Sequence, residues 1–499
     1  MVGFVMMLKM KRGNLLWVLT ALFFSFSTLA QDLLDDAPQG ALVITQSDWH
    51  SQNTQYLANP ASLMKILTAT LASEVLGPDF RFQTRLSFNP ESVNNGRLSS
   101  PLQLTMQGDP SFNQKDLHQL LLNLRKQGVS KLDQIDIDAS RYQGHAWGLG
   151  QVWNDHGICF AAPTGAAMIN RNCVFGNLKA GKVGQTAHFY MTPNSPLKVE
   201  NQVQTVASKD GNQCQILLKV LGANHYRLVG CISQDRQRLP LGFSGNDSYA
   251  FFTHILKQEL ALLGFGDEVK LAFMAPVSRP KSTASPDSLQ HLSHYSAPLK
   301  ELIIRMLRRS DNLIADSVFK AAGYQYGQEN GQSKTLPQDA YLAGEDALKA
   351  VLSRYQIDTQ SMVVRDGSGL SRENLVYGDT FYQVLNLWLA QPHLNWLVKA
   401  LPVAAESGTL KNRESLKDQD LKGRVLAKSG SMQGVVNLAG FVQITSQDKS
   451  IELKPFVFIV NQFIKSKALK PARFSAEELQ LFKFEASFLK AALVPATSS

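Results

Sequence analysis

One stretch of this chain is patterned differently from both of its flanks, and that break limits the folds open to it. From about residue 86 to 285, short alternating strand-like runs are separated by turn sequences. Asn94-Asn95-Gly96, Gln107-Gly108-Asp109-Pro110 and Lys209-Asp210-Gly211 are examples. Before it, Ala41 to Trp49 reads as a strand, with a short partner at Tyr56-Leu57. Asn59-Pro60 breaks that run, and apolar spacing then predicts a helix from Ala61 through Leu76. After a Ser- and Pro-rich linker at Pro276–Pro286, helical patterning returns at Leu299–Ala322, Ala340–Tyr355 and Gly378–Leu389. Strand patterning follows at Val435–Ile444 and Ile451–Val460. The simplest fold is α/β (α+β): strands from both chain ends form one antiparallel sheet, helices pack on it, and a large β-rich insertion interrupts it. At 499 residues the chain exceeds a single ordinary core. The expected division is 1–30, 31–85, 86–285 and 286–499.

Residues 1–30 carry a targeting pattern. Lys9, Lys11 and Arg12 precede an apolar run from Leu15 to Leu29, and Thr28-Leu29-Ala30 offers small-residue cleavage before Gln31. The run is too short and wrongly flanked for a spanning helix. A cleaved signal peptide, and so a periplasmic location, is the expectation. The remainder keeps 47 basic against 41 acidic side chains. That mild positive charge suits peripheral association with an anionic wall or membrane surface. It lacks the dense basic stripe with interleaved aromatics that nucleic acid calls for. Cys159, Cys173, Cys214 and Cys231 all lie in the central stretch. Export makes disulfides the natural reading, and of three connectivities sequence nearness favours Cys159–Cys173 and Cys214–Cys231. No Cys/His spacing suggests a metal site. Oligomeric state has no signature in the sequence.

Three motifs occur in order. In Ser62-Leu63-Met64-Lys65, positions i and i+3 of a helix share a face, so the Lys amine can reach the Ser hydroxyl. A serine hydroxyl is a weak nucleophile until a base takes its proton, and a lysine of lowered pKa can be that base. The same S-x-x-K spacing also begins at Ser195, Ser278, Ser317, Ser446 and Ser487. Only Ser62 opens an apolar helix directly after a strand pair. The second motif, Ser310-Asp311-Asn312, supplies a hydroxyl to relay protons and an amide to hold a carbonyl, although alone it reads as a helix N-cap. The third, Lys428-Ser429-Gly430, sets a cation and a hydroxyl beside a strand edge, which suits a substrate carboxylate.

S-x-x-K, S-D-N and K-[ST]-G in this order mark penicillin-recognising serine enzymes. Here Pro60 to Lys65, Asp366-Gly367-Ser368-Gly369-Leu370-Ser371-Arg372 and the run Lys428–Phe441 resemble the penicillin-binding protein 4 family of D-alanyl-D-alanine carboxypeptidases and endopeptidases. The wide gap between Ser62 and Ser310 is similar to that family too, and Ser429 stands where the family usually has Thr. The resemblance implies a β-lactamase/transpeptidase-like domain that acts on peptidoglycan peptides, is blocked by β-lactam antibiotics, and needs no cofactor. It implies Ser62 as nucleophile, Lys65 as base and Ser310 as proton relay. Asn312 would hold the acyl-side amide, and Lys428 with Ser429 the terminal carboxylate. The oxyanion hole would be the N–H groups of Ser62 and Ser431. Asp155, Phe160, Arg372 and Gln433 would line a subsite for a diaminopimelate-type side chain. Two rivals differ in kind: a β-lactamase, separated by how fast penicilloyl-Ser62 hydrolyses, and a wall-binding protein with a dead site, against which the intact motifs argue.

Overall fold

A computed structural model describes residues 40–46, 51–266, 268–274, 288–331, 339–445, 448–464 and 474–493. The expected signal segment, the expected Pro276–Pro286 linker and the end of the first predicted strand lie outside these residues. By internal contacts the chain forms two units, one of residues 1–63 and 376–499, the other of residues 64–375.

The first unit is built on strands β1 (Ala41–Gln46), β2 (Val425–Met432), β3 (Val435–Thr445) and β4 (Ile451–Asn461), in the antiparallel order β1-β4-β3-β2. Sequence-distant ends therefore meet in one sheet: Ala41 pairs with Asn461 and Gln46 with Phe456. Phe456 through Val460 are all buried, as a central strand covered on both faces requires. Phe484, Phe488 and Leu489 of the helix Ala476–Ala491 join Leu42, Leu438 and Phe458 in one core. Strand β2, which carries the third motif, ends the described sheet.

In the second unit helix α1 (Met64–Val75) is buried from Met64 through Ser73, so it is a core helix without a solvent face. It packs against α2 (Leu299–Arg309), α3 (Asn312–Glu329) and α4 (Ala340–Arg354). The predicted helix at Leu299–Ala322 is two helices. Ser310 breaks it by taking a left-handed conformation (φ 56°, ψ 42°), and Asp311 then caps α3 by accepting a hydrogen bond from Ile314 N. The remainder holds a five-stranded sheet ordered Lys270–Phe273, Gln134–Asp138, Leu102–Met106, Gln83–Phe88, Gln290–Tyr295, with a three- and a four-stranded sheet beside further small pairings. It is less purely β than its sequence suggests, since Gln114–Lys126 and Ser248–Leu262 are helices. Both expected disulfides form, with Cα–Cα separations of 5.5 Å for Cys159–Cys173 and 5.0 Å for Cys214–Cys231. No helix among the described residues is long and apolar enough to cross a membrane.

Candidate active site

The residues singled out in the sequence fall in both units. In the first, Ser62 sits in the 3-10 turn Ala61–Leu63, directly before α1 in the chain. Ala61 is held at φ 45°, a conformation L-residues rarely adopt. Three asparagines fix this turn. Asn59 N donates to Asn461 Oδ1 at 2.7 Å, and Ala61 N donates to Asn59 Oδ1 at 3.0 Å. Asn437 Nδ2 donates to Asn59 O at 3.1 Å and Pro60 O at 2.9 Å, while its Oδ1 accepts from Val460 N. Asn437 is fully buried on β3 opposite Gly430 of β2. A Cβ at Gly430 would lie 2.9 Å from Pro60 O and 3.3 Å from Ala61 Cβ. Glycine therefore lets β2 come close to the turn that carries Ser62. On β2, Lys428 is buried and its Nζ donates to Ser429 O at 2.6 Å. Ser429 Oγ donates to Thr409 Oγ1 at 2.8 Å. Ser431 is exposed, and Gln433 lies in the turn between β2 and β3.

In the second unit Lys65 is fully buried near the start of α1. Its Nζ donates to Asn312 Oδ1 at 2.7 Å and to Ser368 O at 2.5 Å. Burial pulls its pKa down to about 8, against the opposing pull of the Asp316, Asp366 and Asp311 carboxylates. Asp316, one turn along α3 from Asn312, is pushed upward by burial and by Asp366. Asn312 Nδ2 donates to Phe160 O at 2.9 Å, which leaves one of its two hydrogens to offer elsewhere.

The segment Asp366–Arg372 forms the cradle for Lys65. Buried Asp366 accepts from Gly369 N, Ser371 N, Asn374 Nδ2 and Gln151 Nε2, all within 2.9 Å. Gly367 N donates to Asp316 Oδ1 at 3.0 Å, and Gly367 O accepts from Thr68 Oγ1 at 2.6 Å. A Cβ on Gly367 would lie 2.4 Å from Phe319 Cβ, so only glycine fits there. The loop is thereby locked with the Ser368 carbonyl on the Lys65 amine.

Among the expected side-chain-subsite residues, Asp155 and Arg372 interact electrostatically. Burial raises the Asp155 pKa and the Arg372 guanidinium opposes that rise. Phe160 is half exposed and bears the carbonyl that Asn312 holds. The second unit thus brings together Lys65, Asn312 and Phe160, and Asp155 with Arg372; β2 carries Lys428, Ser429 and Ser431 in one strand. The sequence reading missed Asn59, Asn437, Asn461, Thr409 and Asp316. Asn437 and Asn461 did leave a trace, as amides beside the apolar runs Leu438–Val442 and Phe456–Val460, where a buried polar group must find partners. Among the described residues no group of three or more His, Cys, Asp or Glu is placed to hold a metal ion.

Residues 28–480 match the family described as D-Ala-D-Ala carboxypeptidase 3 (S13). The chain is 32% identical over 439 residues to the D-alanyl-D-alanine carboxypeptidase DacB of Haemophilus influenzae, covering 85% of this chain and 88% of that protein. The crystal structure of penicillin-binding protein 4 (dacB) from H. influenzae superposes with a TM-score of 0.81 at 29% identity, over 93% of this chain and 99% of that one. The same protein complexed with a β-lactam superposes with a TM-score of 0.77 at 27% identity, with the same coverage.

Proposed function

Because the chain belongs to the D-Ala-D-Ala carboxypeptidase 3 (S13) family, we infer that it is a serine-type D-alanyl-D-alanine carboxypeptidase working through an acyl-Ser62 intermediate. The observation that carries the assignment of Ser62 is the environment of Lys65, three residues on. A buried amine with its pKa drawn down to about 8 is a competent base near neutral pH. It accepts the Ser62 proton as Oγ attacks the carbonyl of the penultimate D-alanine. The N–H groups of Ser62 and Ser431 stabilise the oxyanion. Ser310 relays the proton to the leaving amine, D-alanine departs, and water releases the peptide from Ser62. Lys428 and Ser429 hold the terminal carboxylate, and the spare hydrogen of Asn312 Nδ2 orients the acyl-side amide.

Cleavage of D-alanyl–diaminopimelate cross-links follows from the same chemistry, because that bond also joins an acyl D-alanine to a unit with a free carboxylate. Asp155, Phe160, Arg372 and Gln433 receive the diaminopimelate-type side chain, and the Asp155–Arg372 pairing supports this by offering both signs of charge to a zwitterionic group. β-Lactams acylate the same serine. Two disulfides support export to an oxidising compartment, here the periplasm. Sheet pairing between Ala41–Gln46 and Phe456–Asn461 supports joining the two ends of the chain in one transpeptidase-like domain, with the central stretch as its insertion. Peptide mapping after penicillin treatment tests the assignment: the penicilloyl group belongs on Ser62, and its recovery on Ser195 or Ser317 overturns it.

A further inference from the structure

A cavity of about 610 Å³ opens in the second unit, outside the constellation described above. Asn113, Arg171, Phe175, Gln258 and Arg305 line it, and residues 192–196 form one wall. None of Ser62, Lys65, Ser310, Asn312 or Lys428 does. Arg171 and Arg305 are its only charged lining residues among those described. Both face one carboxylate: Asp311 Oδ1 accepts from Arg171 Nη2 at 2.7 Å, and Asp311 Oδ2 lies 3.8 Å from Arg305 Nε.

Two further observations mark this place as built for a ligand. Asn170, Arg171 and Asn172 stand in succession in the left-handed region, at φ 50°, 60° and 48°. Asparagine tolerates that conformation but a long side chain such as that of Arg171 resists it, and such strain concentrates at ligand clamps. It sets the Arg171 guanidinium against Asp311 at the cavity edge. Arg171 Nη1 and Arg305 Nε are shielded from solvent yet make no hydrogen bond among the described residues. Shielded N–H donors normally have an acceptor, and the two side chains, 35% and 40% exposed, remain within reach of one from solution. Two guanidiniums against one carboxylate leave a single net positive charge, which matches a monoanion better than a phosphate dianion. A planar fork of N–H donors suits a carboxylate. Phe112, Val174 and Phe251 give the cavity apolar walls.

We propose that this cavity is a second binding site for a monoanionic peptide, whose terminal carboxylate is held by Arg171 and Arg305. The choice of peptide rests on the reading that wall peptides are what this enzyme handles. Occupancy bears on catalysis through Asp311, which caps α3 next to Asn312. The test uses the full-length protein acylated with penicillin, so that the reactive serine is blocked and acylation is verified by intact mass. Nα,Nε-diacetyl-L-lysyl-D-alanine is titrated by calorimetry, followed by the same peptide as its neutral C-terminal amide. The acid saturates a single site, and the amide binds about tenfold more weakly or worse. R305Q weakens the acid by about tenfold, whereas R308Q, altered outside the cavity, retains it. Equal binding of acid and amide, wild-type affinity in R305Q, or no saturation on the acylated protein each overturns the proposal. The acid–amide comparison decides the matter if R305Q does not fold. A protein that penicillin fails to acylate sinks the assignment of Ser62 instead, and the same titration then proceeds on S62A.

Discussion

Lys65 sets the pH dependence expected of acylation. Its folded pKa lies below that of an exposed lysine because burial penalises the charged form more than Asp316, Asp366 and Asp311 favour it. Only the neutral amine accepts the Ser62 proton, so activity is lost as pH falls through about 8 and levels off above it. Stopped-flow acylation by a chromogenic penicillin from pH 6 to 10 checks this; a rate flat across that range contradicts Lys65 as the base. Lys65→Ala removes the base outright and should slow acylation by at least about a hundredfold. Ser310→Gly separates chemistry from folding. Glycine adopts the left-handed conformation of Ser310 freely, so the thermal midpoint should hold or rise while D-alanine release collapses. Loss of stability together with activity would make Ser310 a structural cap alone. Asn437→Asp places carboxylate oxygens where an amide donated to Asn59 O and Pro60 O. The strained Ser62 turn should loosen, lowering the acylation rate by about tenfold or more with little change in KM. Equal loss in KM and rate would count against a positioning role. The proposed serine and lysine could be picked out from the sequence because their motif is local. The asparagine clamp was not, since its three members are brought together by strand pairing across some 400 positions.

At the scale of elements, the strands at Val435 and Ile451 and the helices at Ala340 and Gly378 came out of periodicity nearly to the residue, because β-branched and apolar spacing there is unambiguous. Two departures have physical reasons. The helix predicted across Leu299–Ala322 divides at Ser310, whose apolar neighbours keep a helical period on both sides of a left-handed residue. Gln114–Lys126 buries Leu117, Leu120, Leu121 and Leu124 at helical spacing and opens with an Asn113–Asp116 capping box, a signal masked by the alternating segments around it. The disulfide Cys159–Cys173 closes a short loop immediately beside Phe160, whose carbonyl Asn312 holds. Replacing both cysteines with serine should destabilise the protein by about 3 kcal/mol through the unfolded chain. Denaturant titration reads that loss, and an unchanged midpoint would show that the loop is held by its other contacts. Acylation at low temperature should survive the change, since neither cysteine belongs to the reacting groups.

Across the whole molecule, the residues proposed for the chemistry fall in both units by their place in the chain: Ser62 and Lys428 in residues 1–63 and 376–499, Lys65 and Asn312 in residues 64–375. Sequence order suggested a long insertion between the first and second motifs, because their spacing is so wide. What distinguishes a carboxypeptidase from a β-lactamase on such a plan is the fate of the acyl group. A peptide acyl group vacates its leaving-group site and admits water, whereas a penicilloyl group keeps its leaving amine tethered. No segment of the sequence resembles the glutamate loop with which class A β-lactamases hydrolyse that ester. The most direct measurement is therefore release of free D-alanine from a pentapeptide stem ending in D-Ala-D-Ala, run beside steady-state hydrolysis of a penicillin by the same preparation. Continuous D-alanine release that vanishes in Ser62→Ala, with a penicilloyl-enzyme that persists, is the expected result. Rapid turnover of penicillin with no D-alanine released would contradict it.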